Sequence, residues 1–105
     1  MTIAPHARQL LTTLQGQQIY TVTGRPNQIL RINGTDVIVA TSRSPQGTPI
    51  PIEWVQDALD KLMESGEIEV SVNSLGYRSA FVGAILLTLP GTVLIHSTPP
   101  RIKLS

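Results

Sequence analysis

Apolar residues have the spacing of amphipathic helices in two parts of the chain. In residues 6–15 they lie three or four positions apart, at Ala7, Leu10, Leu11 and Leu14. In residues 52–63 the apolar face consists of Ile52, Val55, Leu59 and Leu62. Acidic residues occupy the opposite face of that segment. This spacing predicts one helix in each segment, ended by Gly16 and Gly66 respectively.

An Asn-Gly pair at 33–34 lies between two segments rich in strand-forming residues, 28–32 and 35–41. Asn-Gly in this position is typical of a tight hairpin turn, because both residues tolerate positive φ angles. The sequence therefore predicts a β-hairpin. The neighbouring residues 24–27 and 42–51 are rich in glycine, proline and polar residues, and are predicted to be a turn and a loop.

Three more short segments have the composition or the alternation of strands: residues 19–22, 67–72 and 93–96. Residues 98–105 contain two adjacent prolines and are predicted to be a tail or linker, so that a single domain spans residues 1–97. Short helices and strands joined by short loops predict an α+β fold. We expect a small antiparallel sheet with a β-hairpin and about three helices, one of them central and buried.

The third helix is predicted for residues 77–88, within the segment 76–91, GYRSAFVGAILLTLPG. It is apolar on nearly every side, which is typical of a helix in the centre of a small domain. Its first residues are polar, namely Tyr77, Arg78 and Ser79. An arginine is unfavourable at the positively polarised start of a helix, so its position needs an explanation.

Arg78 has two interpretations. In the first, it pairs with an acidic residue such as Glu67 or Glu69, and Tyr77 simply packs. In the second, it binds a phosphate together with the Ser79 hydroxyl and the free N–H groups at the helix start. The sequence leaves both interpretations open.

The composition excludes several kinds of function. The 105 residues include no cysteine, and the two histidines, His6 and His96, have no second metal ligand at a useful spacing. No glycine pattern matches a phosphate-binding loop, and no serine has a base nearby in the sequence. We therefore expect no catalytic residue, metal or cofactor, and no enzyme activity in this chain.

The sequence also bears on cellular location. No apolar segment approaches the roughly 20 residues needed to span a bilayer. Residues 1–8 lack the basic start and apolar run of a signal peptide. Together with the absence of cysteine, this favours a cytoplasmic protein that does not bind membranes.

Charge is unevenly distributed, although the formal net charge is only +1. Residues 1–50 contain four arginines and one aspartate, whereas residues 51–76 contain six acidic residues and one lysine. Residues 77–105 contain three basic residues and no acid. This asymmetry allows one positively charged face, although a solvated acidic helix with scattered arginines fits it as well.

Two polar loops carry the residue types that contact nucleic acids. The first set, in residues 41–48, consists of Ser42, Arg43, Ser44 and Gln46. The second set consists of Arg25 and Asn27, in the predicted turn before the hairpin. Arginine binds phosphates and reads guanine edges, and glutamine reads adenine. Ordinary surface loops share this composition. The start of the third helix completes the set of candidates, with Tyr77, Arg78 and Ser79.

Three long segments resemble one type of bacterial module: residues 23–30, 39–60 and 76–91. They are similar to the N-terminal domain that precedes the nuclease domain in actinobacterial HNH restriction endonucleases of the modification-dependent kind. The resemblance covers roughly residues 19–91. It implies a role in restriction–modification, namely the binding of double-stranded DNA with a preference for a modified base such as 5-methylcytosine.

The resemblance does not imply catalysis in this chain, because the histidine-asparagine-histidine signature of the nuclease domain is absent from its 105 residues. Cutting DNA would require a C-terminal nuclease domain or a partner chain. A different class of function also stays open. In that case the chain is a protein-interaction or oligomerisation domain, for example a homodimer, that packs its apolar helix or its hairpin edge against another chain without binding nucleic acid.

Overall fold

The computed structural model describes residues 6–75 and 78–105, without the side chain of Ser74. One antiparallel sheet consists, in spatial order, of β1 (Gln18–Tyr20), β2 (Pro26–Asn33), β3 (Asp36–Ala40) and β4 (Thr48–Pro51). A second antiparallel sheet consists of β5 (Glu67–Glu69), β6 (Thr92–Ile95) and β7 (Arg101–Leu104), with β7 in the middle. The helices are α1 (Ala7–Leu14), α2 (Ile52–Ser65), the four-residue α3 (Val72–Leu75) and α4 (Ser79–Leu87). The predicted α+β fold with a β-hairpin is confirmed.

Helix α4 lies in the centre of the fold, as the sequence predicts. It contacts β1 of the first sheet and β6 and β7 of the second, and it also packs against α2. Residues 81–86 are all buried. Burial of each large apolar side chain stabilises the fold by about 1.5–3 kcal/mol. The helix begins at Ser79, with Arg78 in the N-cap position, and residue 77 of the predicted helix lies outside the described residues.

The predicted hairpin connects β2 and β3, but its turn lies one residue later than expected. Asn33 is the last residue of β2 and pairs with Asp36, so Gly34 and Thr35 form the two-residue loop. Gly34 has a φ of +63°, whereas Thr35 does not have a positive φ. Positive φ at the first central residue alone is typical of a type II′ turn, while a type I′ turn needs it at both.

Residues 42–51, predicted to be a loop, contain strand β4, which pairs with β3 at the edge of the first sheet. An edge strand tolerates proline because one of its sides makes no ladder hydrogen bonds. Pro49 and Pro51 are two residues apart, so their nitrogen atoms point to the same side, away from β3. The N–H groups of Thr48 and Ile50 remain for pairing. Strand β2 similarly begins at Pro26, inside the predicted turn 24–27.

Residues 98–105, predicted to be a tail or linker, contain β7, and that prediction was wrong. Ile102 is fully buried and pairs with Ile68 on one side and Leu94 on the other. The two prolines that precede β7 obscure the alternation of its four residues. One of its pairing partners, β5, is also distant in the sequence.

Two smaller differences concern the second half of the chain. The predicted strand 67–72 ends at Glu69, and α3 follows it where no helix was expected. Within residues 6–75 and 78–105, none of the helices has the length and apolar character that crossing a bilayer requires.

Candidate nucleic-acid interface

A depression of about 520 Å³ lies where three segments of the chain meet: the β1–β2 turn, the β3–β4 loop and the start of α4. Each segment contributes one arginine to its lining, and these are Arg25, Arg43 and Arg78. We name this feature the arginine depression. None of the described residues that line it is acidic, and the other polar ones are threonines, serines and an asparagine. Cationic groups and hydrogen-bonding groups therefore converge at one place.

The β1–β2 turn holds Arg25 in position through its backbone. The Thr21 N–H donates to the Arg25 carbonyl at 2.9 Å, and the Arg25 N–H donates to the Thr21 hydroxyl at 3.0 Å. The Gly24 N–H donates to the Thr21 carbonyl at 2.8 Å and closes the turn. Thr21 is buried, whereas Arg25 is exposed. The turn is thus anchored to the sheet while its guanidinium remains accessible to a ligand.

The β3–β4 loop, which carries Arg43, is also ordered by its own backbone. Thr41 and Ser44 exchange two N–H to carbonyl hydrogen bonds, each 3.2 Å long. The Gly47 N–H donates to the Ser44 carbonyl at 3.0 Å. A Cβ atom at Gly47 would lie 2.6 Å from Ile38 Cγ2, so the loop lies directly against the sheet. The exposed Arg43 therefore extends from a loop with a defined conformation.

Arg78 donates a hydrogen bond from Nη1 to the Thr48 hydroxyl, at 3.0 Å. The ion pair with Glu67 or Glu69 that the sequence left open is not formed. Arg101 binds these carboxylates instead, at 2.8 Å from Glu67 and 3.8 Å from Glu69. The Arg78 guanidinium thus has a neutral partner, and no acid among the described residues cancels its charge.

The acidic residues lie away from the arginine depression. They are on α2, on β5 and at Asp36, the first residue of β3. Asp36 and the β3–β4 loop are at opposite ends of β3, about 14 Å apart at the usual rise of a strand. Arg25 and Arg43 form no ion pair within the described part of the chain. The depression therefore keeps an unbalanced positive charge.

Six of the nine candidate residues line the arginine depression: Arg25, Asn27, Ser42, Arg43, Ser44 and Arg78. Gln46 is exposed in the β3–β4 loop and Ser79 is the first residue of α4, and both lie outside the lining. Tyr77 lies outside the described residues. Thr21, Thr41 and Thr48 also line the depression but were not among the candidates, although Thr41 and Thr48 belong to the loop 41–48 that the sequence analysis selected.

Asn27 has an environment that its position in a predicted turn did not suggest. Only 6% of the residue is exposed, and it lies opposite Ile19 and two residues before the buried Ile29, on the inward side of β2. Its side chain makes no hydrogen bond within the described part of the chain. No fully buried polar side-chain atom lacks a partner there, so the amide retains the small accessible surface of Asn27.

A second hollow of about 200 Å³ adjoins the arginine depression and shares Asn27, Pro26, Thr41 and Ser42 with it. We name it the amide pocket, because Gln18, Asn27 and Gln28 line it. The shared residues make the two hollows neighbours on one surface. Asn27 is the only amide that lines both within the residues described.

Comparisons with known proteins found no matching family model, no matching curated protein and no matching solved structure. The described residues also contain no group of three histidine, cysteine, aspartate or glutamate side chains placed to hold a metal ion. A functional assignment therefore rests on the geometry of the arginine depression and on the resemblance of the sequence.

Proposed function

We propose that this chain is a DNA-binding module that holds the phosphate backbone of a duplex at the arginine depression. One observation carries the proposal: Arg25, Arg43 and Arg78, from three separate segments, line one depression that no described acid shares. Arginines scattered for solubility alone have no reason to converge in this way. Arg101, which binds two glutamates, is an example of the structural role that these three do not have.

The chemistry of the depression suits a phosphate. A guanidinium presents a planar set of N–H donors that match phosphate oxygens bidentately. The hydroxyls of Ser42 and Ser44 are further donors in the same lining. The start of α4 contributes Ala80 and Phe81 to it, and a helix N-terminus favours negative charge. Phosphate contacts of this kind determine position and affinity rather than sequence specificity.

The resemblance of the sequence extends this proposal to a biological role. The module targets a bacterial restriction endonuclease to DNA in the cytoplasm, with a preference for a modified base such as 5-methylcytosine. A C-terminal nuclease domain or a partner chain carries out the cleavage, and this chain contributes no catalytic residue. The residues that position the DNA are those of the arginine depression.

A protein-interaction domain is the second candidate, and one observation favours it. Trp54 is 37% exposed and Val72 is 62% exposed, and both line a separate hollow of about 230 Å³ between α2 and α3. Exposed aromatic and apolar residues are enriched at protein interfaces. Light scattering with and without a short duplex separates the two candidates. A dimer that forms without DNA, together with no change on adding DNA, favours the interaction domain.

Fluorescence anisotropy with a labelled duplex tests the DNA-binding proposal. We expect the Arg43→Ala/Arg78→Ala variant to bind at least about tenfold more weakly than the wild type, since each charge-assisted contact to phosphate contributes about 1.5–3 kcal/mol. Arg31→Ala is the matched control, because Arg31 is exposed on β2 but does not line the depression. Equal affinities of wild type and double variant would refute the proposal. Unmodified, methylated and hemimethylated duplexes test the preference for 5-methylcytosine.

A further inference from the structure

Asn27 occupies a position where the strand pattern calls for an apolar side chain. Residues of β2 alternate between exposed and buried from Pro26 to Ile29, and Asn27 shares the buried side with Ile29. Its partner on β1 is the buried Ile19. Its side chain makes no hydrogen bond within the described part of the chain and keeps only a small accessible surface for water. Solvent at this small surface is the amide's only partner in the free protein, and a ligand that enters the hollows can replace it.

A ligand can supply the missing partner only from inside the hollows. With 6% of its surface accessible, Asn27 cannot reach out to a base edge in an intact groove as an exposed side chain does. Its accessible surface opens where the arginine depression and the amide pocket meet. The group that pairs with this amide must therefore enter the protein.

The two hollows together fit the parts of a nucleotide. The arginine depression offers cations for phosphates, and the adjoining amide pocket offers amides together with the apolar ring of Pro26 and the methyl of Ala40. An asparagine amide presents a donor beside an acceptor, the pairing arrangement that it uses with base edges. The surface can therefore bind phosphates at the arginines and a base at the adjoining amides.

We propose that the amide pocket takes one nucleobase extruded from the DNA, whose edge pairs with the Asn27 amide while the adjacent phosphates lie at Arg25, Arg43 and Arg78. This inference rests on the proposed DNA binding and specifies its mode as base extrusion rather than groove reading. Extrusion requires a base pair to be unpaired and unstacked, which is easier at a mismatch than at a matched pair.

The test compares three duplexes that differ only at one central pair of positions, which is matched, mismatched or abasic on both strands. Binding of the wild type is compared with that of Asn27→Leu, a substitution of similar size that suits a buried strand position. Asn33→Leu is the matched control, because Asn33 is the exposed asparagine at the other end of β2 and lines neither hollow.

We expect the wild type to bind the mismatched duplex at least about tenfold more tightly than the matched one, since less energy is needed for unpairing. Asn27→Leu loses about fivefold or more on the mismatched duplex, the contribution of a bidentate base contact, and loses nothing on the abasic one. Asn33→Leu behaves as the wild type on both.

Other outcomes would overturn the inference. Equal wild-type affinities for matched and mismatched duplexes, or an Asn27→Leu effect that is absent or equal on the abasic duplex, would show that no base enters the pocket. If Arg43→Ala/Arg78→Ala still weakens binding in that case, the proposed DNA binding stands without base extrusion. No binding of the wild type to any duplex would overturn both proposals.

Discussion

Replacing Gly47 by alanine should both destabilise the fold and weaken DNA binding, because this residue holds the β3–β4 loop against the sheet. Gly47 has a φ of +94°, which L-residues with a side chain rarely adopt. The added Cβ atom would lie 2.6 Å from Ile38 Cγ2 and 2.9 Å from Leu30 Cδ1. Ile38 is buried in β3 and β-branched, so its side chain cannot simply rotate away.

The expected magnitude has two parts. Positive φ costs a residue with a side chain about 1–2 kcal/mol, and overpacking of a buried site costs about 1–3 kcal/mol. Gly47→Ala should therefore reduce the free energy of unfolding by about 2–5 kcal/mol. Gly16→Ala is the control, since Gly16 has a φ of +84° but no atom within 4 Å of its added Cβ. It should lose only the first part, about 1–2 kcal/mol.

Urea denaturation followed by circular dichroism measures both changes, and fluorescence anisotropy measures DNA affinity under conditions where each variant is folded. A folded Gly47→Ala variant should bind DNA more weakly, because the loop that carries Arg43 has moved, whereas Gly16→Ala should bind normally. Equal destabilisation of the two variants would refute the close packing of the loop. Unchanged DNA affinity of Gly47→Ala would refute the role of the loop in binding.

Three further predictions concern other parts of the molecule. Asn27→Leu should raise the free energy of unfolding by up to about 1 kcal/mol, since it replaces a largely buried amide whose only hydrogen-bond partner is solvent; a lower melting temperature in calorimetry would mean that the amide has a structural partner. Ile102→Ala should lower it by about 2–5 kcal/mol in urea denaturation, because β7 is the middle strand of its sheet; a loss below 1 kcal/mol would contradict that position. Arg101→Ala should change the melting temperature and DNA affinity little, since its ion pairs are partly exposed; a large loss of affinity would place the interface elsewhere.

The elements that the sequence predicted correctly have local signals. The spacing of Leu11 and Leu14 in α1, and of Leu59 and Leu62 in α2, requires no information about the rest of the fold. The same holds for the hairpin between β2 and β3, although its turn type depended on which residue ended the strand. Helix α4 was predicted to be central and buried, because a helix that is apolar all round has no polar face to expose to solvent.

The elements that the sequence did not predict are strands whose prolines favour loops and whose pairing in the sheets the local sequence does not show. Strand β4 contains two prolines, which favour a loop unless the segment lies at the edge of a sheet, where one side of the strand needs no hydrogen bonds. Strand β7 has four residues and gains its stability from β5 and β6 on both sides. Its partner β5 is distant in the sequence, and the prolines between β6 and β7 favour a loop, so a local pattern could not distinguish β7 from a tail.

The candidate site was predictable in its residues but not in its arrangement. Arg25, Arg43 and Arg78 are each candidates from the sequence, because hydroxyl residues or turn residues lie beside them. Their convergence follows from the antiparallel order of β1 to β4, which brings the β1–β2 turn and the β3–β4 loop to the same end of the sheet as the start of α4. The burial of Asn27 could not be inferred either, because it depends on the register between β1 and β2.

The salt dependence of DNA affinity tests the central claim most directly. If three phosphates are neutralised at Arg25, Arg43 and Arg78, the logarithm of the association constant should fall against the logarithm of salt concentration with a slope of about −2.7 from these contacts, at about −0.9 per phosphate. The triple alanine variant should lose that part of the slope, and Arg31→Ala should retain it. A slope that is the same for the wild type and the triple variant would contradict the claim that the arginine depression binds DNA.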